Sequence, residues 1–366
     1  MAHVLLAANS SWNLENFRIG LIRSLLGEGH QITTVSPDSS GVTLDGMPLS
    51  HRTWKVDRSG KNPLRDLAGL LRFAAILVGE RPDVVLAFTI KPNLYASIVC
   101  RLLGVSAIPN VTGLGTTFLG GRALRRAVSL LYRFSFRRAP IVFFQNKDDQ
   151  ALFVRERLIR LDQGRVLPGS GIDLCYFSQS ELPKGTRFLM IARLLGDKGV
   201  REYVAAARQL KAKFPSATFS LLGELDRENP SAIQERELEA WIEEGVIDYL
   251  GSALDVRPFI GQSTALVLPS YREGLPRTLL EGAAMGRPLI GTDVPGCREL
   301  VREGLTGFLC EVRNVDSLAA TMERFAETSH EARIRIGAHA RAMAEREFDE
   351  RLVTKAYLEV IRDLFT

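Results

Sequence analysis

The sequence predicts an α/β protein made of two doubly wound, Rossmann-like domains. Short apolar runs alternate with helix-patterned stretches along all 366 residues, which is typical of parallel sheets covered by helices. The alternation starts afresh after the turn-rich stretch LPGSGIDLCYFSQSELPKG. The chain is also long enough for two domains, each with its own core.

The first half contains five apolar runs of strand length, with helical patterns between them. These predicted strands lie at residues 3–8, 31–36, 84–88, 107–111 and 141–145. The first helix is predicted at residues 14–28, where apolar side chains recur at helical spacing. We expect these elements to form an N-terminal, acceptor-binding domain at residues 1–175.

The pattern of the second half repeats that of the first. Its predicted strands lie at residues 187–192, 218–222, 247–250, 265–269, 288–291 and 307–310, and its first helices at residues 200–214 and 233–243. From residue 315 onward the pattern is helical. We expect a C-terminal, nucleotide-sugar-binding domain at residues 176–345 and a last helix, residues 346–366, that packs back on the first domain.

The composition is that of an ordinary soluble globular protein, with 46% hydrophobic and 24% charged residues. The sequence contains no run of 18 uncharged apolar residues, which a membrane-spanning helix would need. The first residues do not resemble a signal peptide. The four cysteines are scattered and form no CxxC pair, which favours reduced thiols over disulfides or a zinc site. We therefore expect a cytoplasmic protein.

The net charge of +5 is unevenly distributed. Residues 1–180 carry 22 Lys/Arg against 13 Asp/Glu, while the remaining residues carry 25 against 29. Such asymmetry indicates that the first half faces something anionic, unless it is an excess on an ordinary solvated surface.

Ligands of open parallel sheets bind at the carboxyl ends of the strands. Two such sheets that face each other would form a cleft between the domains, and the predicted site lies there. In FLMIARLLGDKGVREY, Arg193 and Lys198 leave the first strand of the second domain just ahead of a helix. A guanidinium fork beside a compact ammonium suits a diphosphate.

The stretch LPSYREGLPRTLLEGAAMG supplies the complement of that basic pair. Gly274 permits close approach of the backbone to a ligand, and Pro276 fits the start of a helix whose free N–H groups can bind a phosphate. Glu273 and Glu281 flank this anion site. Carboxylates there indicate a ligand that also carries sugar hydroxyls, with Glu281 addressing a ribose and Glu273 a sugar ring.

The E-x7-E spacing from Glu273 to Glu281, with Arg193 and Lys198 upstream, resembles the retaining glycosyltransferases of family 4, which have the GT-B fold. The resemblance extends over GELDRENPSAI, GVIDYLGSALDV and VTGLGTTF, and so over nearly the whole chain. It is greatest to bacterial enzymes that extend a sugar on undecaprenyl diphosphate, including N-acetylgalactosaminyl transferases of capsule, O-antigen or N-glycan assembly.

This resemblance implies a UDP-sugar donor and a lipid-diphosphate-linked glycan acceptor, with no cofactor and no metal. Arg193 and Lys198 would neutralise the departing UDP, and Glu281 would bind its ribose. Glu273 would hold the transferred sugar together with the Gly274–Leu275 backbone. The loop at Gly251 would meet the base. The resemblance also implies a front-face mechanism, in which the donor phosphate itself takes the acceptor proton. No side chain of the motifs clearly offers itself as a covalent nucleophile.

The first domain departs from the family pattern at two places. The loop after the first strand is ANSSWNLEN, not glycine-rich, although Asn9, Ser10 and Ser11 can still donate hydrogen bonds to an acceptor phosphate. Thr112, followed by Gly113, stands where many members have a histidine, and a hydroxyl cannot reproduce the proton chemistry of an imidazole.

Residues 122–138, RALRRAVSLLYRFSFRR, form a predicted basic amphipathic helix. Its arginines cluster on one side and its apolar residues on the other. We expect the apolar side to pack in the domain core and the arginine side to attract anionic headgroups, which would make the protein peripheral on the inner face of the cytoplasmic membrane. Nucleic acid fits less well, because no nucleic-acid motif accompanies the charge.

NAD binding is disfavoured by the sequence, and two alternative functions remain. GLGTTFLGG begins like a dinucleotide fingerprint, but Phe118 stands where the third glycine should be, which argues against NAD. A UDP-sugar epimerase or hydrolase of the same fold would act without an acceptor. A non-catalytic nucleotide-sugar-binding protein would bind the donor without turnover.

Overall fold

A computed structural model describes residues 1–56, 63–114, 122–227 and 229–365. The chain divides into two compact units. Unit 1 combines Met1–Gly171 with Glu350–Thr366, and unit 2 is the continuous segment Ile172–Asp349.

Within the described residues, unit 1 is built on a parallel sheet of seven strands. Counting this sheet and a separate two-stranded hairpin, the described strands of unit 1 are β1 (His3–Ala7), β2 (Gln31–Ser36), β3 (Thr43–Leu44), β4 (Met47–Pro48), β5 (Ser50–Thr53), β6 (Val84–Phe88), β7 (Ser106–Val111), β8 (Val142–Phe144) and β9 (Gly164–Val166). Its helices are α1 (Ser11–Gly27), α2 (Pro63–Glu80), α3 (Ile90–Leu103), α4 (Arg122–Phe136), α5 (Lys147–Arg155) and α13 (Glu350–Phe365, the last of the chain). The sheet order is β5-β2-β1-β6-β7-β8-β9, and β3 pairs with β4 in a separate hairpin.

The central strands of unit 1 are apolar because helices cover both faces of the sheet. Every residue of β6 is buried, so its sequence does not alternate between polar and apolar residues. Successive side chains point to opposite faces: Leu5 and Val85 belong to the core under α2–α4, while Val4 and Leu86 belong to the core under α1 and α13. In the second core, Asn110 donates a hydrogen bond of 2.7 Å to the buried Tyr357 hydroxyl of α13.

Unit 2 contains a parallel sheet of six strands among the residues described. The strands are β10 (Arg187–Ile191), β11 (Thr218–Leu222), β12 (Asp248–Tyr249), β13 (Ala265–Leu268), β14 (Leu289–Thr292) and β15 (Gly307–Cys310), in the order β12-β11-β10-β13-β14-β15. The helices are α6 (Val200–Lys213), α7 (Glu235–Glu243), α8 (Arg257–Gln262), α9 (Arg277–Ala284), α10 (Cys297–Leu300), α11 (Val315–Glu327) and α12 (His330–Glu347). They enclose the sheet in one continuous apolar core.

The predicted strands are confirmed, each to within one residue at either end. The sequence patterns miss β5 and β9, which lie at the two edges of their sheet, and the short strands β3 and β4. The first helix begins three residues earlier than predicted because Ser10 caps it: the Ser10 hydroxyl accepts a hydrogen bond of 3.1 Å from the Asn13 N–H.

The predicted orientation of the basic helix is wrong. The side of α4 that faces the core carries Tyr132, Ser135 and Phe136, while Leu130 and Phe134 are exposed. Tyr132 and Phe136 pack with Phe153 of α5, and these aromatic rings decide which side of the helix is buried. The side chains of residues 122–125 and 127 lie outside the part of the molecule that the structure describes.

Candidate active site

The predicted donor residues of unit 2 lie where the strand order of its sheet reverses. Strands β10 and β13 are neighbours at the centre, with β11 on one side and β14 on the other. A reversal of this kind opens a crevice at the carboxyl ends of the two central strands. Arg193 and Lys198 follow β10, and Glu273 follows β13.

Backbone contacts join the loops after β10 and β13. The Tyr271 N–H donates a hydrogen bond of 2.9 Å to the Asp197 carbonyl. Gly199 has φ of +77°, and a Cβ built on it would lie 2.1 Å from the Pro269 carbonyl oxygen. Only glycine permits this approach. Gly199 therefore determines how closely the loop after β10 can pack against the loop after β13.

We expect Gly199→Ala to destabilise unit 2 by about 2 kcal/mol or more, because the new methyl group forces the loops apart. Gly245→Ala is the matched control: Gly245 has φ of +70°, but nothing lies within 4 Å of the place that a Cβ would take there. Thermal denaturation of the two variants measures the difference. Equal stability of both variants would contradict the close approach at Gly199.

Lys198 and Glu273 form an ion pair. The Lys198 ammonium lies 2.5 Å from Glu273 Oε1, and the two side chains are 23% and 13% exposed. The Ser270 hydroxyl donates a second hydrogen bond, of 2.6 Å, to the same oxygen. The cation predicted for the diphosphate and the carboxylate predicted for the sugar are thus in direct contact.

Arg193 also has an acidic partner, on the loop after β11. Its Nη1 donates a hydrogen bond of 2.8 Å to Asp226 Oδ2, and the Arg193 side chain is 60% exposed. An exposed pair of this kind contributes little stability and opens readily. The guanidinium can therefore leave Asp226 for a phosphate at low cost. The sequence patterns did not single out Asp226.

Glu281 lies on α9 and is buried. Its Oε1 accepts a hydrogen bond of 2.9 Å from Arg277 Nε one turn earlier. Burial raises the pKa of Glu281, and Arg277 partly offsets this rise. Pro276 is the residue just before α9. The first N–H groups of a helix have no acceptor within that helix, and those of α9 lie directly after Pro276.

The loops after β11 and β12 meet at the same edge of the sheet. Gly223 donates a backbone hydrogen bond of 2.7 Å to the Gly251 carbonyl. Gly223 is packed so tightly that a Cβ there would lie 1.8 Å from the Ala192 carbonyl oxygen, whereas nothing lies within 4 Å of a Cβ on Gly251. Gly251 thus borders open space beside the loop that follows β11.

In unit 1 the predicted acceptor residues after β1 have different environments. Ser10 caps α1, and Ser11 is buried, with its hydroxyl 2.7 Å from that of Ser36. Asn9 Oδ1 is buried and has no hydrogen-bond partner among the described residues. Thr112 and Gly113 follow β7, two strands away from β1 in the sheet, and residues 115–118 of the motif VTGLGTTF lie outside the described residues.

Two further residues at this edge were missed from the sequence. Thr89 follows β6, the strand next to β1, and it has φ of +73° and ψ of 166°, a conformation that is costly for any residue except glycine. The Thr89 hydroxyl and Asn13 Oδ1 are buried without a hydrogen-bond partner in the described part of the chain. No sequence pattern indicates either feature, because both arise from tertiary placement.

We expect Thr89→Gly to be more stable than Thr89→Ala, by about 1 kcal/mol or more. At an ordinary position alanine would be the more stable of the two, because glycine loses more entropy on folding. Here the left-handed backbone reverses the order. Chemical denaturation of both variants measures the difference, and a less stable glycine variant would show that Thr89 is unstrained.

Comparisons with known proteins agree with this architecture. Residues 20–169 match the model of the glycosyl transferase 4-like domain, and residues 185–328 match that of glycosyl transferases group 1. The chain is 26% identical to a Campylobacter jejuni N,N'-diacetylbacillosaminyl-diphospho-undecaprenol alpha-1,3-N-acetylgalactosaminyltransferase, over 95% of each chain. It is 24% identical to an Escherichia coli UDP-Gal:alpha-D-GlcNAc-diphosphoundecaprenol alpha-1,3-galactosyltransferase, over 88% of this chain and 87% of that one.

Solved structures share the fold at low sequence identity. The HepE protein of Anabaena, in complex with UDP and glucose, superposes with a TM-score of 0.80 at 18% identity, over 99% of this chain and 100% of that one. The sucrose-phosphate synthase of Thermosynechococcus elongatus gives 0.81 at 17% identity, over 100% of this chain and 99% of that one. The family models, the curated relatives and the fold agree, and the chain belongs to the glycosyltransferases of family 4, with the GT-B fold.

Proposed function

We propose that this glycosyltransferase moves a sugar from a UDP-sugar to a polyprenyl-diphosphate-linked saccharide, with retention of configuration and without a metal ion. The observation that carries the proposal is the Lys198–Glu273 pair at the switch point of the unit 2 sheet. It joins a cation suited to a diphosphate with a carboxylate suited to a sugar. The two curated relatives, named for undecaprenyl-diphosphate-linked acceptors, support the choice of acceptor.

Donor binding replaces the internal ion pairs of the site. The diphosphate of the donor takes Lys198 from Glu273 and Arg193 from Asp226, and the first N–H groups of α9 supply further donors. Glu273, released from Lys198, accepts hydrogen bonds from the hydroxyls of the sugar. Glu281 accepts the ribose hydroxyls, and the Gly251 loop borders the base.

The chemical step follows from where the charges lie. The bond from the anomeric carbon to the UDP oxygen breaks, and Lys198 and Arg193 stabilise the negative charge that develops on the diphosphate. Glu273 stabilises the positive charge on the sugar ring. The acceptor hydroxyl attacks from the side that UDP leaves, and its proton passes to the departing phosphate oxygen.

The acceptor is proposed to bind at the carboxyl edge of the unit 1 sheet. Asn9, Asn13 and Thr89 place three buried polar oxygens there without partners among the described residues, as expected for groups that a ligand would satisfy. The hydroxyls of Ser10 and Ser11 are already engaged within the protein, and the Ser11 N–H donates a hydrogen bond of 2.6 Å to Asp38 Oδ2. A contact of Ser11 with the acceptor would therefore require exchange of one of these bonds.

The biological setting of the proposed reaction is bacterial surface glycan synthesis. The transferred sugar is proposed to be N-acetylgalactosamine or N-acetylglucosamine, in keeping with the activity for which the Campylobacter relative is named. A lipid-linked acceptor is held in a membrane, so the enzyme is proposed to act from the cytoplasm at the membrane surface.

Transfer of radiolabelled sugar tests the proposal. Purified protein is incubated with each UDP-N-acetylhexosamine and a synthetic polyprenyl-diphosphate saccharide, in the presence of a chelator. We expect one donor to label the lipid, with the new linkage in the same anomeric configuration as the donor. Labelled free sugar without lipid product would indicate a hydrolase, and an inverted linkage would contradict the proposed mechanism.

A further inference from the structure

Helices α2, α3 and α4 present large apolar side chains to solvent on one face of unit 1. Together they cover one side of its sheet, with α3 packed against both α2 and α4. Their exposed apolar residues are Leu64, Leu67, Leu71 and Val78 of α2, Leu102 and Leu103 of α3, and Leu130, Leu131 and Phe134 of α4. We call this the α2–α4 face. Clusters of apolar side chains on a surface mark an interaction site.

The same face is strongly basic. Residues 84–146, which include α3 and α4, contain eight Lys/Arg and no Asp or Glu. Two acidic residues of α2 form ion pairs with basic side chains. Asp66 Oδ1 lies 2.7 Å from Lys91 Nζ, and Glu80 Oε1 lies 2.6 Å from Arg52 Nε. Arg133 of α4 and Arg137, the residue just after this helix, are exposed, as are Leu130 and Phe134 of α4, so cations and apolar groups share one exposed side here.

A polar cavity of about 250 Å³ lies where α3 and α4 end. Arg101, Gly104 and Arg138 line it, together with Ser97. Ser97 is only 4% exposed, and its hydroxyl has no hydrogen-bond partner in the part of the chain that the structure describes. Two arginines beside an unpartnered hydroxyl make this cavity suited to a phosphate.

Arg101 connects this cavity to the apolar side chains. Its guanidinium lies 4.8 Å from the centre of the Phe134 ring and donates a hydrogen bond of 3.3 Å to the Phe134 carbonyl. The neighbouring Leu102 is 79% exposed. A cavity with room for a phosphate therefore lies beside side chains that can enter hydrocarbon, and a phospholipid likewise joins a phosphate to hydrocarbon chains.

We propose that the α2–α4 face binds an anionic phospholipid bilayer, with a headgroup phosphate in the Ser97 cavity and Leu102, Leu130 and Phe134 in the interfacial region. The exposed arginines favour this partner over a second copy of the chain, since a twofold interface would bring like charges together. None of the described helices has the length and apolar character needed to cross a bilayer. The binding itself depends only on these residues; its benefit for catalysis depends on the proposed lipid-linked acceptor.

Sedimentation of the full-length protein with vesicles tests the proposal. We expect the protein to bind phosphatidylglycerol vesicles and to bind phosphatidylcholine vesicles at least tenfold more weakly. Arg137→Gln/Arg138→Gln should lower binding to phosphatidylglycerol about 30-fold, by loss of two cations at the surface. Leu130→Ser/Phe134→Ser should lower it about tenfold or more, by loss of apolar insertion.

Two matched controls lie on unit 1 away from this face. Met47 is 68% exposed on β4, which pairs with β3 in a hairpin that packs on α1, and Arg23 is an exposed residue of α1. Met47→Ser and Arg23→Gln should sediment like the wild type.

Equal binding of the wild type to both kinds of vesicle, or no binding, would overturn the proposal. So would a dimer, detected by light scattering, that Leu130→Ser/Phe134→Ser abolishes while vesicle binding stays unchanged. UDP binding should be unaffected in all four variants. The surface can thus be tested whether or not the proposed sugar transfer is found.

Discussion

Replacement of Lys198 by alanine is expected to lower the rate of sugar transfer by about 100-fold or more. The ammonium is the partly buried cation of the site, and its proposed role is to stabilise charge on the departing diphosphate. Arg193 is proposed to share this role, but its side chain is 60% exposed, so solvent and salt screen its charge more strongly. Steady-state kinetics with saturating acceptor measure the loss, which should appear mainly in kcat.

Lys213→Ala is the matched control for this variant. Lys213 also lies in unit 2 and also pairs with a glutamate, at 2.8 Å from Glu323 Oε1, but on an exposed surface. Its loss should leave turnover unchanged and stability nearly so. If Lys198→Ala keeps a rate near that of the wild type, Lys198 is a structural partner of Glu273 and has no catalytic role.

Glu273→Gln is expected to reduce turnover by a similar factor, about 100-fold or more. Glutamine keeps the size of the side chain and can still accept the Ser270 hydroxyl, which lies 2.6 Å from Oε1. What it loses is the negative charge that is proposed to stabilise the sugar ring in the transition state. Glu237→Gln, at an exposed ion pair with Arg201, is the control and should be fully active.

The double variant Lys198→Ala/Glu273→Gln distinguishes a catalytic pair from two independent sites. Residues in direct contact do not contribute additively, so the double variant should be little slower than the slower single variant. A loss close to the product of the two single losses would mean that each residue acts separately. Wild-type rates in Glu273→Gln would remove this carboxylate from the mechanism.

The fold was largely predictable because buried parallel strands carry their own pattern. The run VVLAF of β6 is apolar throughout, and its ends coincide with the predicted ones. The edge strand β5, SHRT, is short and polar, so nothing in its composition distinguishes it from a loop. The side of α4 that is buried was mispredicted because three aromatic rings, including Phe153 of another helix, decide it.

The candidate site was predictable where the motif is local and unpredictable where the fold creates it. The E-x7-E spacing and the strand-exit cations indicate Glu273, Glu281, Arg193 and Lys198 from the sequence alone. The direct contact of Lys198 with Glu273 depends on two loops that are 75 residues apart in the chain. The strained Thr89 could not be inferred, because positive φ at a threonine depends on the packing around it.

Calorimetric titration of the wild type and of Lys198→Ala with UDP, and with ADP as the control nucleotide, tests the proposed donor site most directly. We predict that UDP binds the wild type, that ADP binds at least tenfold more weakly, and that Lys198→Ala loses about tenfold or more of the UDP affinity. Equal UDP affinity in both proteins, or no UDP binding to the wild type, would contradict a donor diphosphate at the switch point of unit 2.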